Sequence, residues 1–387
     1  MSCAGVTRAG HTTTRRSRSL MSRITRFFAS RWGPIITGIV VGVIAPLLVR
    51  AGNPGNMGIC VVCFNRDIAG ALGLHRAAIV QYIRPEIIGF VLGAMVAALI
   101  AREFRPRTGS APLVRFFLGM FSVIGALVFL GCPWRAYLRL SAGDWNAIPG
   151  IIGLTLGIVL GIVFLRQGYS LGRNRPAPKA VGWVLPVFMV ILLILLLVAP
   201  QFGRDADGNP TGPVFFSQTG PGSMHAPWLL SLGAGLLIGY LAQRSRYCTV
   251  GAIRDVILAR DLHLFNGVVA LVVAAFLTNL ALGLFRPGFA DQPVAHTDAL
   301  WNLGGMLLAG LAFTLAGGCP GRQLFMSGEG DADAAMFVLG MLAGAGVSHT
   351  YNMASSPAGP ALFGPAAVVV GLIFCIVIGL TMREPAS

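Results

Sequence analysis

The sequence predicts an all-α polytopic membrane protein with about ten transmembrane helices, arranged as two inverted-topology repeats with re-entrant helix–loops. Composition is the first reason. Of the 387 residues, 55% are hydrophobic and 11% charged, against about 25% charged in a soluble domain. Length is the second. Apolar stretches that can cross a bilayer recur at 33–50, 83–101, 112–131, 147–165, 182–199, 226–243, 266–285, 302–319, 335–350 and 361–382. An internal echo is the third. Cys60, Cys63 and Arg66-Asp67 return as Cys248, Gly251 and Arg254-Asp255. Cys132-Pro133-Trp134-Arg135, closed by Gly143-Asp144, returns as Cys319-Pro320-Gly321-Arg322, closed by Gly330-Asp331. The step from Cys60 to Cys248 and the step from Cys132 to Cys319 differ by a single position. Two separate motifs at nearly one offset mark a duplicated unit.

Residues 1–32 carry Arg8, Arg15, Arg16, Arg18, Arg23, Arg26 and Arg31 and read as a basic, disordered cytoplasmic tail. Arg15-Arg16 lacks the apolar run that would follow in a twin-arginine signal. Residues 33–165 form transmembrane repeat 1, and 166–225 a linker with one transmembrane helix. Residues 226–350 form transmembrane repeat 2, and 351–387 a last transmembrane helix and tail. With the tail in the cytoplasm, alternation through ten spans puts three basic groups inside. These are Arg102, Arg105, Arg107 and Arg115; Arg166, Arg173, Arg175 and Lys179; and Arg244, Arg246, Arg254 and Arg260. The 200–225 loop, with Arg204 against Asp205 and Asp207, falls outside, so both termini are cytoplasmic under the positive-inside rule. The lone span 182–199 supplies the odd crossing that inverts the second repeat, with a pseudo-two-fold axis in the membrane plane. Trp32, Trp145, Trp183, Trp228 and Trp301 fall at span ends, as an interfacial belt requires. The net charge of +15 is scattered over short loops rather than gathered on one face, so no nucleic-acid partner is expected.

The chemistry lies where the motifs break the apolar pattern. Cys132 and Cys319 each end a full-length span, and Pro133 and Pro320 favour a new helix start there. A short re-entrant helix after each proline aims its free N–H groups at the centre of the membrane, which favours anions. Such bare backbone is tolerated only if it is buried in protein or lines a wet cavity. Inversion sets Cys132 and Cys319 opposite each other near the bilayer centre. Arg66-Asp67 and Arg254-Asp255 read first as structural pairs that lock their loops to neighbouring helices. They read second as sources of positive potential for an anion vestibule, a role for which Arg135 and Arg322 are the stronger candidates. A guanidinium at the centre would hold a dianion too tightly, so these arginines are expected at the entrances. His75-Arg76 and Arg84 line or anchor the first loop. Seven cysteines read as free thiols, Cys3 lying in the tail and Cys375 in the last span. Cys60-x-x-Cys63 suggests redox chemistry, yet Gly251 stands where the second copy would need its other cysteine. His75, His225, His263, His296 and His349 show no ligand spacing with the cysteines, so neither a metal nor a cofactor is expected. No Gly-x-x-x-x-Gly-Lys loop is present, which argues against a built-in motor.

These residues resemble the YeeE/YedE family of bacterial inner-membrane proteins, over essentially the whole chain from about residue 33. Cys60 to Glu86, with Arg66-Asp67 and His75-Arg76, and Gly131 to Arg135 are similar to the YedE branch linked to selenium metabolism. The resemblance implies import of a small sulfur- or selenium-containing anion, thiosulfate-like or a selenium oxyanion. It implies that cysteines on re-entrant helix–loops hand the anion between outward and inward concavities by S–H···S hydrogen bonds. That role falls on Cys132 and Cys319, and on Cys60 or Cys63 and Cys248. It also implies a TusA-like sulfur-carrier protein as a partner. The chain departs from the thiosulfate transporters in its extra Cys63 and in the Cys-Pro-x-Arg form, which bear on the substrate. The rival readings are a membrane thiol–disulfide oxidoreductase using Cys60 and Cys63, and a membrane dock for the carrier protein.

Overall fold

The computed structural model describes residues 26–198 and 214–383. Residues 1–25, Cys3 included, and the loop residues Arg204, Asp205 and Asp207 lie outside the described residues. In chain order the helices are α1 (Trp32–Arg50), α2 (Val61–Ala71), α3 (Pro85–Ala101), α4 (Pro112–Phe129), α5 (Pro133–Ser141), α6 (Ala147–Arg166) and α7 (Lys179–Val198). There follow α8 (Trp228–Ser245), α9 (Thr249–Ala259), α10 (His263–Ala281), α11 (Ala299–Leu315), α12 (Pro320–Gly328), α13 (Ala332–Thr350) and α14 (Gly364–Thr381). Each of the ten expected spans coincides with a long helix. Among the described residues eight helical stretches are long and apolar enough to cross a membrane, two of them counted through the short helices as Pro112–Ser141 and Ala299–Gly328; α3 is apolar but has 17 residues, and α8 ends in the polar Gln243-Arg244-Ser245. The protein is an all-α, multi-pass membrane protein, with one two-residue strand pair, Arg107–Thr108 against Arg175–Pro176, among the described residues.

Local sequence sets the boundaries. Prolines open α3, α4, α5 and α12, where the missing N–H costs nothing. Asp298 and Asp331 cap α11 and α13 by accepting the N–H of Trp301 and Ala334, each at 3.0 Å. The short helices α2, α5, α9 and α12 have 9 or 11 residues, about 14–16 Å at 1.5 Å per residue. Half of a roughly 30 Å hydrocarbon core is all they can traverse.

The long helices pack reciprocally across the two sequence copies. The first helix of each copy lies along the third of the other (α1 on α10, α8 on α3), and the fourth along the sixth (α4 on α13, α11 on α6). Glycines open these seams: Gly38 meets Gly267, and Gly89 meets Gly235. Small residues let helix backbones approach closely where lipid supplies no hydrophobic driving force between helices. The equivalent helices α4 and α11 cross at Gly125 and Gly305. A methyl on Gly125 would lie 2.5 Å from the Gly305 carbonyl oxygen and 3.1 Å from the Ala309 nitrogen; one on Gly305 would lie 3.2 Å from the Phe129 nitrogen. Four residues forward in one helix face four residues back in the other, so the two run antiparallel. Gly125→Leu is therefore expected to cost about 1–3 kcal/mol by overpacking. That cost appears as a lower unfolding midpoint of the solubilised protein, and an unchanged midpoint would contradict the crossing.

The loops gather at two ends. At one, the 102–111, 167–178, 243–262 and 329–331 segments meet, tied by Arg105 N–H to Glu329 O and by Arg246 to Glu103. This is the arginine-rich end. At the opposite end Trp145 N–H bonds Gly288 O, Ala226 N–H bonds Asn53, and Gln81 N–H bonds Ser217. Trp32, Trp145, Trp183 and Trp228 are exposed at helix ends.

Candidate functional site

Each of the four motifs folds in the same local way, with a cysteine as the N-cap of a short helix. Cys60 caps α2, its Sγ accepting the Cys63 N–H at 3.3 Å, and Cys248 caps α9, its Sγ accepting the Gly251 N–H at 3.2 Å. Cys319 caps α12, its Sγ accepting the Arg322 N–H at 3.4 Å, and Cys132 stands at the same position before α5. The thiols then meet in pairs. Cys60 and Cys132 lie within hydrogen-bonding reach of each other, and so do Cys248 and Cys319. The Cys319 N–H also points at Cys248 Sγ, at 3.3 Å. Inverted repeats predict Cys132 and Cys319 face to face; in the structure each faces a cysteine of its own copy, because each copy brings its two short-helix N-termini together. All of these cysteines, with Cys63, are free and buried.

The contact across the copies is made by Trp134. Its indole lies against Gly321, where an added methyl would sit 3.2–3.4 Å from the ring, Nε1 included. Trp134 and Gly321 are equivalent positions, each the second residue after its copy's Cys-Pro cysteine, so a bulky residue in one copy fills the space its small counterpart leaves. Phe90, Tyr247 and Phe325 surround the ring.

The arginines are placed differently from one another. Arg135, expected at an entrance, is fully buried. It donates to Asn56 O at 2.9 Å, Val294 O at 3.0 Å and Leu130 O, and its Nη1 lies 3.5 Å from Cys63 Sγ. The reason is local: α4 stops at Leu130, which takes a left-handed φ of +63° where the second copy has Gly317 at +87°. The carbonyls freed by that break need a donor, and the arginine of the next helix supplies it. Among the described residues no carboxylate pairs with Arg135, so its charge stands uncompensated. Arg322, in contrast, pairs with Glu329 at 3.3 Å, and Arg246 and Arg107 join the same carboxylate.

Arg66 donates to Asp67 at 2.7 Å, and the other Asp67 oxygen receives Arg84 at 2.8 Å, so two guanidiniums share one carboxylate. Arg84 also donates to Pro221 O and Met224 O, and His75 Nε2 bonds Arg66 O at 3.0 Å. The loop is anchored as expected for Arg84 and His75. Arg254 pairs with Asp255 at 2.8 Å, both about a third exposed. The buried pair Arg139–Asp144, at 2.6 Å, escaped sequence reasoning at Arg139, although Asp144 stood in the echoed motif and Arg139 lies one helical turn beyond Arg135.

One concavity opens at each end. A cavity of about 280 Å³ at the opposite end is lined by Asn56, Gly58, Leu138, Arg286 and Gln292, close in sequence to Cys60. One of about 410 Å³ at the arginine-rich end is lined by Glu103, Arg244, Arg246, Asp255, Asp261 and His263, close in sequence to Cys248. Burial would raise the Glu103 carboxyl, but the Gln243 hydrogen bond and the Arg244 and Arg246 guanidiniums outweigh it and hold the group below its ordinary value. Among the described residues no group of three His, Cys, Asp or Glu side chains could hold a metal. Cys60 and Cys63 are both 0% exposed.

A family model described as sulphur transport matches residues 3–164 and 244–378. The chain is 29% identical to the thiosulfate transporter TsuA of Escherichia coli over 103 residues, 26% of this chain and 28% of that protein. It is 33% identical to the thiosulfate transporter TsuA of Spirochaeta thermophila over 96 residues, 25% of this chain and 28% of that protein. It is also 40% identical to a fluoride-specific ion channel, FluC 2, of a Synechococcus species over 113 residues, 29% of this chain and 81% of that protein. The chain thus spans less than a third of the length of either thiosulfate transporter.

Proposed function

Because the chain belongs to the sulphur transport family and is a transporter, not an enzyme, we propose that it carries a small sulfur-containing anion through a path that passes Cys60 and Cys132 and then Cys248 and Cys319. The observation that carries the reading is the pair of thiol stations, each set at two helix N-termini. Helix N-termini and a buried, uncompensated Arg135 favour an anion. Thiols offer it weak, polarizable partners, and conduction needs sites that bind without trapping. The likeness to a fluoride channel supports the coarser part of this reading, passage of a small anion.

The antiparallel crossing of α4 and α11 supports two inverted repeats, and the half-length of α2, α5, α9 and α12 supports re-entrant segments. The arginine-rich end is the cytoplasmic one under the positive-inside rule, in a bacterial inner membrane with both termini inside. Thiosulfate-like anions are the first substrates, selenium oxyanions the chemically adjacent ones, and a TusA-like carrier protein is the acceptor at the cytoplasmic concavity. The test is uptake of labelled thiosulfate, labelled selenite and fluoride in cells lacking other importers. Expression of this chain is expected to raise thiosulfate uptake well above background. Fluoride entry without uptake of either other anion would overturn the sulfur reading.

A further inference from the structure

The two thiol stations are built with different donors. Beside Cys60 and Cys132 stand Cys63 and the guanidinium of Arg135. Beside Cys248 and Cys319 stand two neutral donors, the Trp134 indole and the Thr249 hydroxyl, whose counterparts in the other copy are Gly321 and Val61. Trp134 and Thr249 are both 0% exposed, yet among the described residues Trp134 Nε1 has no hydrogen-bond partner and Thr249 Oγ1 has at most the weakly accepting Cys319 thiol. A buried indole N–H left unmade costs about 1–3 kcal/mol, and such an orphan in a folded protein calls for a water or ligand. Both donors lie near the starts of α9 and α12, which Cys319 N–H and Cys248 Sγ bring together at 3.3 Å. The indole nitrogen is 3.4 Å from where a Gly321 methyl would sit, at the second residue of α12. Thr249 is the first residue of α9, and its side chain lies beside the Cys319 thiol, at best a weak acceptor.

Resting on the transport reading above, we propose that Trp134 Nε1 and Thr249 Oγ1 are the specificity-determining donors of a neutral anion-binding station beside Cys248 and Cys319. The ligand is a dehydrated small anion that accepts one N–H and one O–H hydrogen bond where the first turns of α9 and α12 converge. No full charge is needed there, so the station holds the anion less tightly than the one beside Arg135. A methyl at 321 would crowd the indole that reaches across from the other copy, which would have to give way by a few tenths of an ångström.

Three variants test this. Trp134→Phe keeps an aromatic ring but removes the N–H together with the five-membered ring; Thr249→Val keeps the shape and removes the O–H; Thr249→Ser keeps the O–H. Half-saturation for thiosulfate is expected to rise ~10-fold in the Phe and Val variants and to stay near wild type in the Ser variant, since a hydrogen bond to a charged group is worth about a factor of ten or more. The unfolding midpoint should hold in the Thr249 variants, which a packing role would not allow. The Thr249 pair carries the test if the Phe variant fails to accumulate. The indole N–H magnetic resonance signal that Trp134→Phe deletes is also expected to shift on titration of the wild-type protein with thiosulfate or fluoride. Half-saturation unchanged in both the Phe and Val variants, or a signal unmoved by either anion, overturns the proposal. A signal that shifts with fluoride in a protein taking up no sulfur anion upholds these donors and overturns the substrate reading instead.

Discussion

Cys132→Ala or Cys319→Ala is expected to reduce thiosulfate uptake to background while the protein still reaches the membrane folded. Each substitution removes one sulfur atom from a buried site, and small deletions in a core cost little next to a Leu→Ala change of about 2–5 kcal/mol. The functional loss follows from geometry. Each of these thiols pairs with one other cap cysteine, Cys132 with Cys60 and Cys319 with Cys248, so its removal breaks the pair and leaves the anion fewer soft partners there. Serine at either position keeps an O–H donor but loses the polarizable acceptor, and partial uptake is expected from it. The check is labelled-thiosulfate uptake normalised to the amount of monodisperse protein. Wild-type uptake by the Cys132→Ala, Cys319→Ala double variant would remove thiols from the mechanism.

Arg135→Gln is expected to lose both uptake and stability, by two separable causes. The guanidinium holds three backbone carbonyls, those of Asn56, Leu130 and Val294, from three different segments. Glutamine cannot reach all three, and each buried carbonyl left unpaired costs about 1–3 kcal/mol. Charge is the second cause. An anion about 4 Å from an uncompensated guanidinium gains about 4 kcal/mol at an effective dielectric of ~20, which is about a thousandfold in occupancy. Arg135→Lys separates the causes, because lysine keeps the charge but lacks the planar fork. Lower thermal stability with measurable uptake is expected from it. Equal uptake by the Gln and Lys variants would mean that the charge plays no part.

The apolar runs and the echoed motifs made the ten long helices and the starts of α5 and α12 legible in the sequence alone, while α2 and α9 read only as loops. Helix ends were less so. The run 302–319 reads as unbroken, yet α11 ends at Leu315, because Ala316-Gly317-Gly318 is as apolar as a helix when buried in protein. What sequence could not reveal were the partners of groups far apart in the chain. Cys60 and Cys132 meet with all of α3 and α4 between them, and Arg135 reaches Val294 over a sequence separation of 159. Periodicity and spacing report on local conformation, and neither says which loop carbonyl a buried guanidinium will find. The orphaned donors of Trp134 and Thr249 were invisible for the same reason.

The glycine seams bear on how the molecule can move. Transporters built from repeats often work by rocking one bundle against another about a fixed site. Here the long helices of the two copies are interleaved, each seated in a partner at near backbone contact, at Gly38 on Gly267, Gly89 on Gly235 and Gly125 on Gly305. Rigid rotation of one copy would have to open all of these seams at once, with no compressible layer between them. The freedom that remains belongs to the short helices and their capping thiols. On the proposed path, passage would then be a relay inside a stationary frame, its barrier set by the exchange of sulfur contacts rather than by domain displacement.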